Sequence, residues 1–403
     1  MIDKDHFRRI IEAYLLPMFS GTSIASDPEP STRVQGIVST KNTLNLWIKP
    51  ERESNYRYLL TRSQVIEPTE KRLVKTFIEA LGAATSLADD TYFEEVLESL
   101  PRRVIADFVS YFAPRSRRTL LSVLDRFTNL SSQTYEGDRI SYSLGITGSL
   151  NYGNEHFEKL IKEDFSVVLT NGYDTLLTCG SDGLVFKYNS LPSIPSSSYP
   201  SFAPFRTGLI AHWADKRKVA VTLNRAGELL IFNGHRLLFS KRRGRWSFYP
   251  HEATVKRMWI GSPTLRTAIY ETCLDVSFAR TGGCIAVVKE KETDRVKRFV
   301  PEADLLEYGG NLKSSFMKSV VKSKFHEMDR RLRQELVAVD GATVLDHKGN
   351  VLAVGAIVGL RGGSAHGGRY AAAKHLSKIG LGLKVSSDGG ITGFHNGDES
   401  FVV

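Results

Sequence analysis

Hydrophobic and polar residues alternate along residues 337–358 in the pattern of two adjacent β-strands. The run VAVDGATVLDHKGNVLAVGAIV is interrupted by polar residues at 347–350, where the turn of a hairpin belongs. Asp340 follows Val337 and Val339, so we expect its carboxylate at the exit of the first strand.

The next stretch, GGSAHGGRYAAAKHLSKIG at 362–380, predicts a glycine-rich loop that leads into a helix, with Gly380 as its C-cap. Amide groups at the start of such a helix, with the guanidinium of Arg369, would suit phosphates. A carboxylate at Asp340 would suit a metal or a ribose, and the small Gly341 and Ala342 would leave room for a base. An ordinary hairpin followed by a capped core helix has the same pattern.

The surrounding residues predict a mixed α/β domain at 261–403. Ser262 and Pro263 are suited to the N-cap and first position of a helix, and residues 284–288 predict a buried strand. Apolar residues at helical spacing predict one helix over 312–336, with Phe316 facing inward.

Residues 1–140 predict a mostly helical N-terminal domain with one β-like insertion at 36–51. The segment 101–127 interleaves arginines with Phe108, Tyr111 and Phe112. Basic residues among aromatics occur on nucleic-acid surfaces, but the helical spacing favours a core stripe flanked by solvated arginines.

Residues 141–260 predict a β-rich middle unit with a Pro/Ser-rich loop at 190–205, and 131–153 is polar enough for a linker or a long loop. The densest basic run, KRRGRW at 241–246, would either hold phosphates or nucleic acid or be a solvated loop between strands. The expected fold class is therefore α/β, with a C-terminal α/β domain after a β-rich unit and a mostly helical region.

Composition adds few constraints. The 403 residues carry a net charge of +10 and three cysteines without a CxxC pair. That charge is compatible with attraction to nucleic acid or to anionic nucleotides. No apolar run approaches the roughly 20 residues of a membrane span, and the N-terminal stretch has no signal-peptide pattern, so we expect no membrane partner and a cytoplasmic location.

From Thr264 to Phe394 the chain resembles the catalytic domain of bacterial diadenylate cyclases. Four segments carry the resemblance in order: residues 265–290, Asp340-Gly341-Ala342, residues 367–378, and VSSDGGITGF at 385–394. The chain departs from the family pattern at Val339, where the family has His, and at Tyr370-Ala371, where it has His-Arg. Lys378 replaces a glutamate, and Ser387 or Asp388 stands where the family has its closing glutamate.

The resemblance implies a set of nucleotide-binding residues: Asp340, Gly341, Ala342, Gly367, Gly368, Arg369, Tyr370, Ser386 and Ser387. It also implies Mg²⁺ or Mn²⁺ on Asp340 and Asp388, held together with the nucleotide, and catalysis by Asp340 only if the site is active. From the residue types alone, His366 and Tyr370 would each either stack on or bond a base or simply pack.

Phosphoryl transfer depends on positioning and on cations that neutralise charge. Losing an arginine and a carboxylate removes those contributions and can leave binding intact. The departures therefore favour a nucleotide sensor with an adenine nucleotide or cyclic dinucleotide as ligand, in bacterial stress or anti-phage signalling. Two alternatives stay open: an active cyclase that makes cyclic di-AMP from two ATP as a homodimer, and a basic nucleic-acid-binding protein.

Overall fold

The computed structural model describes residues 4–33, 35–48, 55–87, 93–150, 153–308, 310–359 and 367–403. The chain divides into two compact units, Met1–Pro250 and His251–Val403. Within the first unit, one hydrophobic core includes residues on both sides of the boundary predicted at 140, and Phe127 meets Tyr142 edge to face at 5.4 Å. The division into three domains with boundaries at 140 and 260 stays a prediction.

The first unit begins with a helix and an antiparallel sheet. Helix α1 spans Lys4–Ile10, and the strands are β1 (Thr22–Ile24), β2 (Glu29–Ser31), β3 (Gly36–Ser39), β4 (Thr43–Ile48) and β5 (Asn55–Arg62). Their order is β1-β5-β4-β3, and β2 also pairs with β5. The predicted insertion corresponds to β3 and β4, but the sheet also contains three strands that the prediction of a mostly helical region omitted. Arg62 at the end of β5 is buried and forms an ion pair with Glu70, which is also buried.

Three long helices follow the sheet: α2 (Pro68–Leu87), α3 (Phe93–Ser110) and α4 (Arg117–Leu130). Apolar residues of α2 at helical spacing, among them Leu73, Phe77 and Leu81, are buried. The predicted aromatic stripe is only partly a core stripe, because Phe108 is buried whereas Tyr111 is 69% exposed.

A second sheet of eight strands completes this unit. After the short β6 (Thr134–Tyr135) and β7 (Asp138–Arg139), the elements are β8 (Tyr142–Thr147), β9 (Glu155–His156), α5 (Phe157–Leu160), β10 (Thr175–Cys179), β11 (Leu184–Ser190), α6 (Gly208–Trp213), β12 (Lys218–Leu223), β13 (Leu229–Asn233), β14 (Arg236–Arg242) and β15 (Arg245–Phe248). The strand order is β15-β14-β13-β12-β8-β10-β11-β9. The linker predicted at 131–153 is wrong, since β8 lies in the middle of this sheet and is buried.

The second unit is built on a six-stranded mixed sheet. Its elements are α7 (His251–Arg257), α8 (Pro263–Ala279), β16 (Gly283–Val288), α9 (Leu312–Val320), α10 (Arg330–Ala338), β17 (Ala342–Leu345), β18 (Val351–Ala356), α11 (Gly368–Leu376), β19 (Gly380–Val385), β20 (Ile391–His395) and β21 (Asp398–Val402). The order is β18-β17-β16-β19-β20-β21, and only β16 and β17 are parallel. A mixed α/β fold is thus confirmed.

Helices cover both faces of this sheet. Cys284, Ala286 and Val288 of β16 share a hydrophobic cluster with Ala373 of α11. Successive strand residues point to opposite faces, so Gly283, which lies against Val337 of α10, belongs to the other face. This arrangement places the first turn of α11 beside the ends of β16 and β19.

Several local predictions for this unit are confirmed and others are wrong. The hairpin of β17 and β18 forms as predicted, and Ser262 caps α8 by accepting a hydrogen bond from the Leu265 amide at 3.1 Å. The single helix predicted over 312–336 is two helices, α9 and α10, and Phe316 is 60% exposed. α11 ends at Leu376 and continues as one 3₁₀ turn, Ser377–Ile379, whose C-cap is Gly380 as predicted, in an extended conformation with φ 179°.

None of the helices in the described ranges combines the length and the apolar composition needed to cross a bilayer.

Candidate functional site

The start of α11 opens into a cleft of about 530 Å³ in the second unit. Most of the residues predicted as a nucleotide site line this cleft: Asp340, Gly341, Gly367, Gly368, Arg369, Tyr370, Ser386 and Ser387. Two predicted residues do not line it. Ala342 is fully buried in β17 behind the cleft, and Asp388 lies on the exposed turn after β19.

Asp340 stands at the entrance of a strand and not at its exit, because α10 continues to Ala338 and β17 begins only at Ala342. Val337 and Val339 therefore do not belong to a strand, although they alternate like one. The Asp340 carboxylate is exposed and accepts a hydrogen bond from the Gly341 amide at 3.1 Å. Its other oxygen atom accepts no hydrogen bond from the described residues, and Asp340 lines the cleft.

The backbone of Gly341 forms a thin part of the cleft wall. Its φ is +104°, and a Cβ at this position would lie 2.5 Å from the carbonyl carbon of Gly355 on the neighbouring strand. No side chain fits there, so a ligand would meet bare backbone at this point.

Arg369 lies in the first turn of α11, after the N-cap Gly367, which offers no side-chain cap to the helix amides. One terminal nitrogen of its guanidinium, Nη1, donates to the Thr281 carbonyl at 3.1 Å, and its Nε is buried without a hydrogen-bond partner among the described residues. A cation at a helix N-terminus opposes the helix dipole, and an anion bound between them would offset that repulsion.

Tyr370 is anchored by contacts within the unit. Its hydroxyl donates to Glu399 Oε1 at 3.1 Å, and its ring packs edge to face on Phe394 at 4.9 Å. Desolvation raises the pKa of Tyr370, and the hydrogen bond to Glu399 raises it further. Of the roles predicted for this residue, packing is the one for which the structure supplies contacts.

The turn after β19 closes the opposite side of the cleft. The Ser386 amide donates to the Gly390 carbonyl at 2.8 Å, and the buried Ser277 hydroxyl donates to the Gly389 carbonyl at 2.7 Å. These bonds fix Ser386 and Ser387 at the rim, whereas the Asp388 side chain points to the Gly390 amide.

The implied metal has few protein ligands in this cleft. Among the described residues, no group of three or more His, Cys, Asp or Glu side chains could hold a metal ion. Mg²⁺ often keeps several waters and binds through one or two carboxylates plus substrate phosphates, a mode that Asp340 alone would fit. Asp388 does not line the cleft, so a metal held by both carboxylates stays a prediction.

Sequence reasoning missed six residues of the cleft: Ala356, Ile357, Val358, Ala372, Lys384 and Val385. Lys384 lies in β19 between the buried Leu383 and Val385, and a lone lysine in an otherwise apolar strand was the available signal. The ammonium group of Lys384 has no hydrogen bond or ion pair in the described part of the chain. Ile357 is 59% exposed, a large apolar side chain facing open space beside Val358.

A buried carboxylate holds this apolar edge in place. Asp304 Oδ2 accepts a hydrogen bond from the Ile357 amide at 3.1 Å, and its Oδ1 pairs with Lys313 Nζ at 2.7 Å. Lys313 also donates to the Gly355 carbonyl at 2.6 Å. The three groups stiffen the end of β18, and nothing in the sequence around Asp304 indicated them.

The loop residues 360–366, with His366 as a predicted base contact, lie outside the described residues. The described cleft combines Arg369 and Lys384 as cations, open helix amides, the Asp340 carboxylate, and the apolar Ile357 and Val358. This combination is suited to an organic anion that has both a phosphate-like group and an apolar or planar part.

Comparisons with known proteins give little further information. No family model matches the chain, and no curated protein matches it. A solved structure of a double mutant of DacA from Staphylococcus aureus is similar at 15% identity, over 34% of this chain and 86% of that chain, with a TM-score of 0.25. Because the likeness is so distant, no functional statement about this chain follows from it.

Proposed function

We propose that the second unit binds a nucleotide in the cleft at the start of α11 and acts as a sensor of that nucleotide. The observation that carries the proposal is the meeting of two cations, Arg369 and Lys384, with open helix amides and the apolar edge at Ile357 and Val358. Phosphates would bind between the cations and the helix amides, and the base would lie against the apolar edge.

The resemblance to diadenylate cyclases supports an adenine nucleotide or a cyclic dinucleotide as the ligand. The residues that replace the family's catalytic pattern, Tyr370 and Ala371 among them, support binding without turnover. The signalling setting and the homodimer stay predictions that rest on the resemblance alone.

Calorimetric titration with ATP and with cyclic di-AMP, each in the presence of Mg²⁺, tests the proposal. Arg369→Ala removes a charged hydrogen-bond donor, so we expect binding to weaken by about tenfold or more, since such bonds contribute roughly 1.5–3 kcal/mol. Arg298→Ala is the matched control, because Arg298 is an exposed arginine of the same unit that does not line the cleft. Unchanged affinity in Arg369→Ala would refute the site.

Mass spectrometry of nucleotides after incubation with ATP and Mn²⁺ distinguishes a sensor from an enzyme. A sensor leaves ATP unchanged while binding persists in the calorimeter. Formation of cyclic di-AMP by the wild-type chain, and its loss in Asp340→Asn, would replace the sensor proposal by that of a cyclase.

A further inference from the structure

The first unit contains a second cleft, of about 560 Å³, that no function above uses. Its walls come from the segment after α1, from α3 and from the hairpin of β14 and β15. That hairpin carries the basic run 241–246, whose role the sequence left open.

The cations of this cleft outnumber the acids that could neutralise them. Arg102 is ion-paired with Asp125 at 2.8 Å, and the wall carboxylate of Glu12 is ion-paired with Arg8 at 3.1 Å. The structure gives no ion pair to Lys241 among its described residues, and its ammonium group donates to the Thr128 hydroxyl at 3.4 Å. Burial lowers the pKa of Lys241, the neighbouring Arg102 lowers it further, and the Asp125 carboxylate, which pairs with Arg102, raises it in part.

Arg245 stands on the same hairpin, with an exposed side chain and no ion pair in the described ranges. The remaining wall carboxylate, Glu98, is exposed to water. Lys241 and Arg245 therefore present two positive charges against one unpaired acid.

The rest of the wall is apolar and aromatic. Trp246 is only 5% exposed, and Met18 is buried beside it. Small-molecule sites typically combine such walls with a few convergent charges in a cleft of roughly 300–1,000 Å³. A surface that tracks a nucleic-acid backbone instead presents its cations along an open groove.

We propose that this cleft binds a small organic anion, a phosphate monoester with a planar or apolar group, through Lys241 and Arg245. The phosphate would complete the missing charge pairs, and the apolar group would lie against the wall that Trp246 helps to form. This site is independent of the cleft at α11, since both the residues and the unit differ.

Lysine methyl labelling tests the proposal on the full chain. Reductive methylation with ¹³C-formaldehyde places a reporter on each lysine, and Lys241→Met assigns the resonance of Lys241. Phenyl phosphate is the probe, and it should shift the Lys241 resonance and raise the pH at which it titrates. Lys162, an exposed lysine of the same unit outside the cleft, is the control and should not respond.

Two variants make the outcome decisive. Arg245→Ala should weaken the phenyl phosphate response by about tenfold or more, because a charge-assisted contact is lost. Arg369→Ala should leave it unchanged, which separates this site from the proposed nucleotide cleft.

No change in the chemical shift of Lys241 on addition of phenyl phosphate would overturn the proposal. It would also be overturned if only a single-stranded oligonucleotide shifted that resonance, with the steep salt dependence of backbone binding.

Discussion

Replacing Gly382 by alanine should displace α11 and open the candidate nucleotide cleft. Gly382 lies in β19, and a Cβ built on it would be 1.9 Å from the Ala373 carbonyl oxygen and 2.7 Å from its carbonyl carbon. Ordinary contact begins at 3.4 Å, so the helix would have to move by about 3.4 − 1.9 = 1.5 Å. Both obstacles are backbone atoms, which cannot rotate away as a flexible side chain would.

The displacement would have two consequences. Overpacking a well-packed contact typically costs about 1–3 kcal/mol, so α11 and β19 should lose stability. A shift of that size would also break the 3.1 Å hydrogen bond from Arg369 to the Thr281 carbonyl and move the helix amides relative to Asp340. We therefore expect nucleotide affinity to fall by about tenfold or more.

Hydrogen exchange followed by mass spectrometry can measure this locally, which suits a chain of two units better than one global unfolding curve. Peptides that cover α11 and β19 should exchange faster in Gly382→Ala than in the wild type. Gly390→Ala is the matched control, since a Cβ there would meet no atom within 4 Å, and it should change stability by no more than about 0.5 kcal/mol. Equal protection of α11 in Gly382→Ala and wild type, with unchanged nucleotide binding, would refute the packing argument.

Two further predictions concern buried ionisable groups. Asp275→Ala should lower the free energy of unfolding by about 3–5 kcal/mol, because it leaves Arg330 as a buried charge without its carboxylate partner. The two Arg330–Asp275 hydrogen bonds, at 2.7 and 2.9 Å, are lost in this variant. The double variant Asp275→Leu/Arg330→Met should recover much of that free energy, measured by chemical denaturation. Burial raises the pKa of Cys284 to about 12 from 9.0 and that of Tyr142 to about 12 from 10.0. The folded chain therefore favours the protonated forms of these two groups. Their contribution to the free energy of unfolding should be fully present below pH 9 and should be lost as the pH rises towards 12. Denaturation midpoints measured across this range should fall less steeply in Cys284→Ala, and equal slopes would contradict the assignment.

The sequence was most informative where a local pattern alone determines an element. The polar residues at 347–350 within an apolar alternation predicted the hairpin of β17 and β18, and the glycines before an alanine-rich run predicted α11. The same reasoning failed where a distant contact decides the outcome. The strand β8 looked like a linker because Ser and Gly surround its short apolar stretch, and its burial depends on pairing with β10 and β12.

Asp340 illustrates the limits of reading an alternating pattern. Val337 and Val339 alternate as in a strand, but Val337 packs from α10 onto the sheet at Gly283, and the helix ends only at Ala338. Burial against a distant strand therefore overrode the local β-pattern. Asp340 nevertheless lies in the cleft, because the prediction was wrong only about which end of the strand it occupies.

The candidate site thus has a local and a non-local part, and they carry different functional information. The glycines before α11 and the start of that helix are adjacent in the sequence, and they are sufficient to suggest phosphate binding. The positions of its charged and apolar groups depend on contacts made far along the chain: Arg369 is held by Thr281, 88 residues away, and Ile357 by Asp304, 53 residues away. Turnover requires interactions that are stronger in the transition state than in the ground state, whereas binding needs only interactions with the ground state. A motif alone therefore supports a nucleotide site without deciding between sensor and enzyme. Product formation by the wild-type chain separates the two, and loss of product with retained binding in Asp340→Asn would assign turnover to that carboxylate.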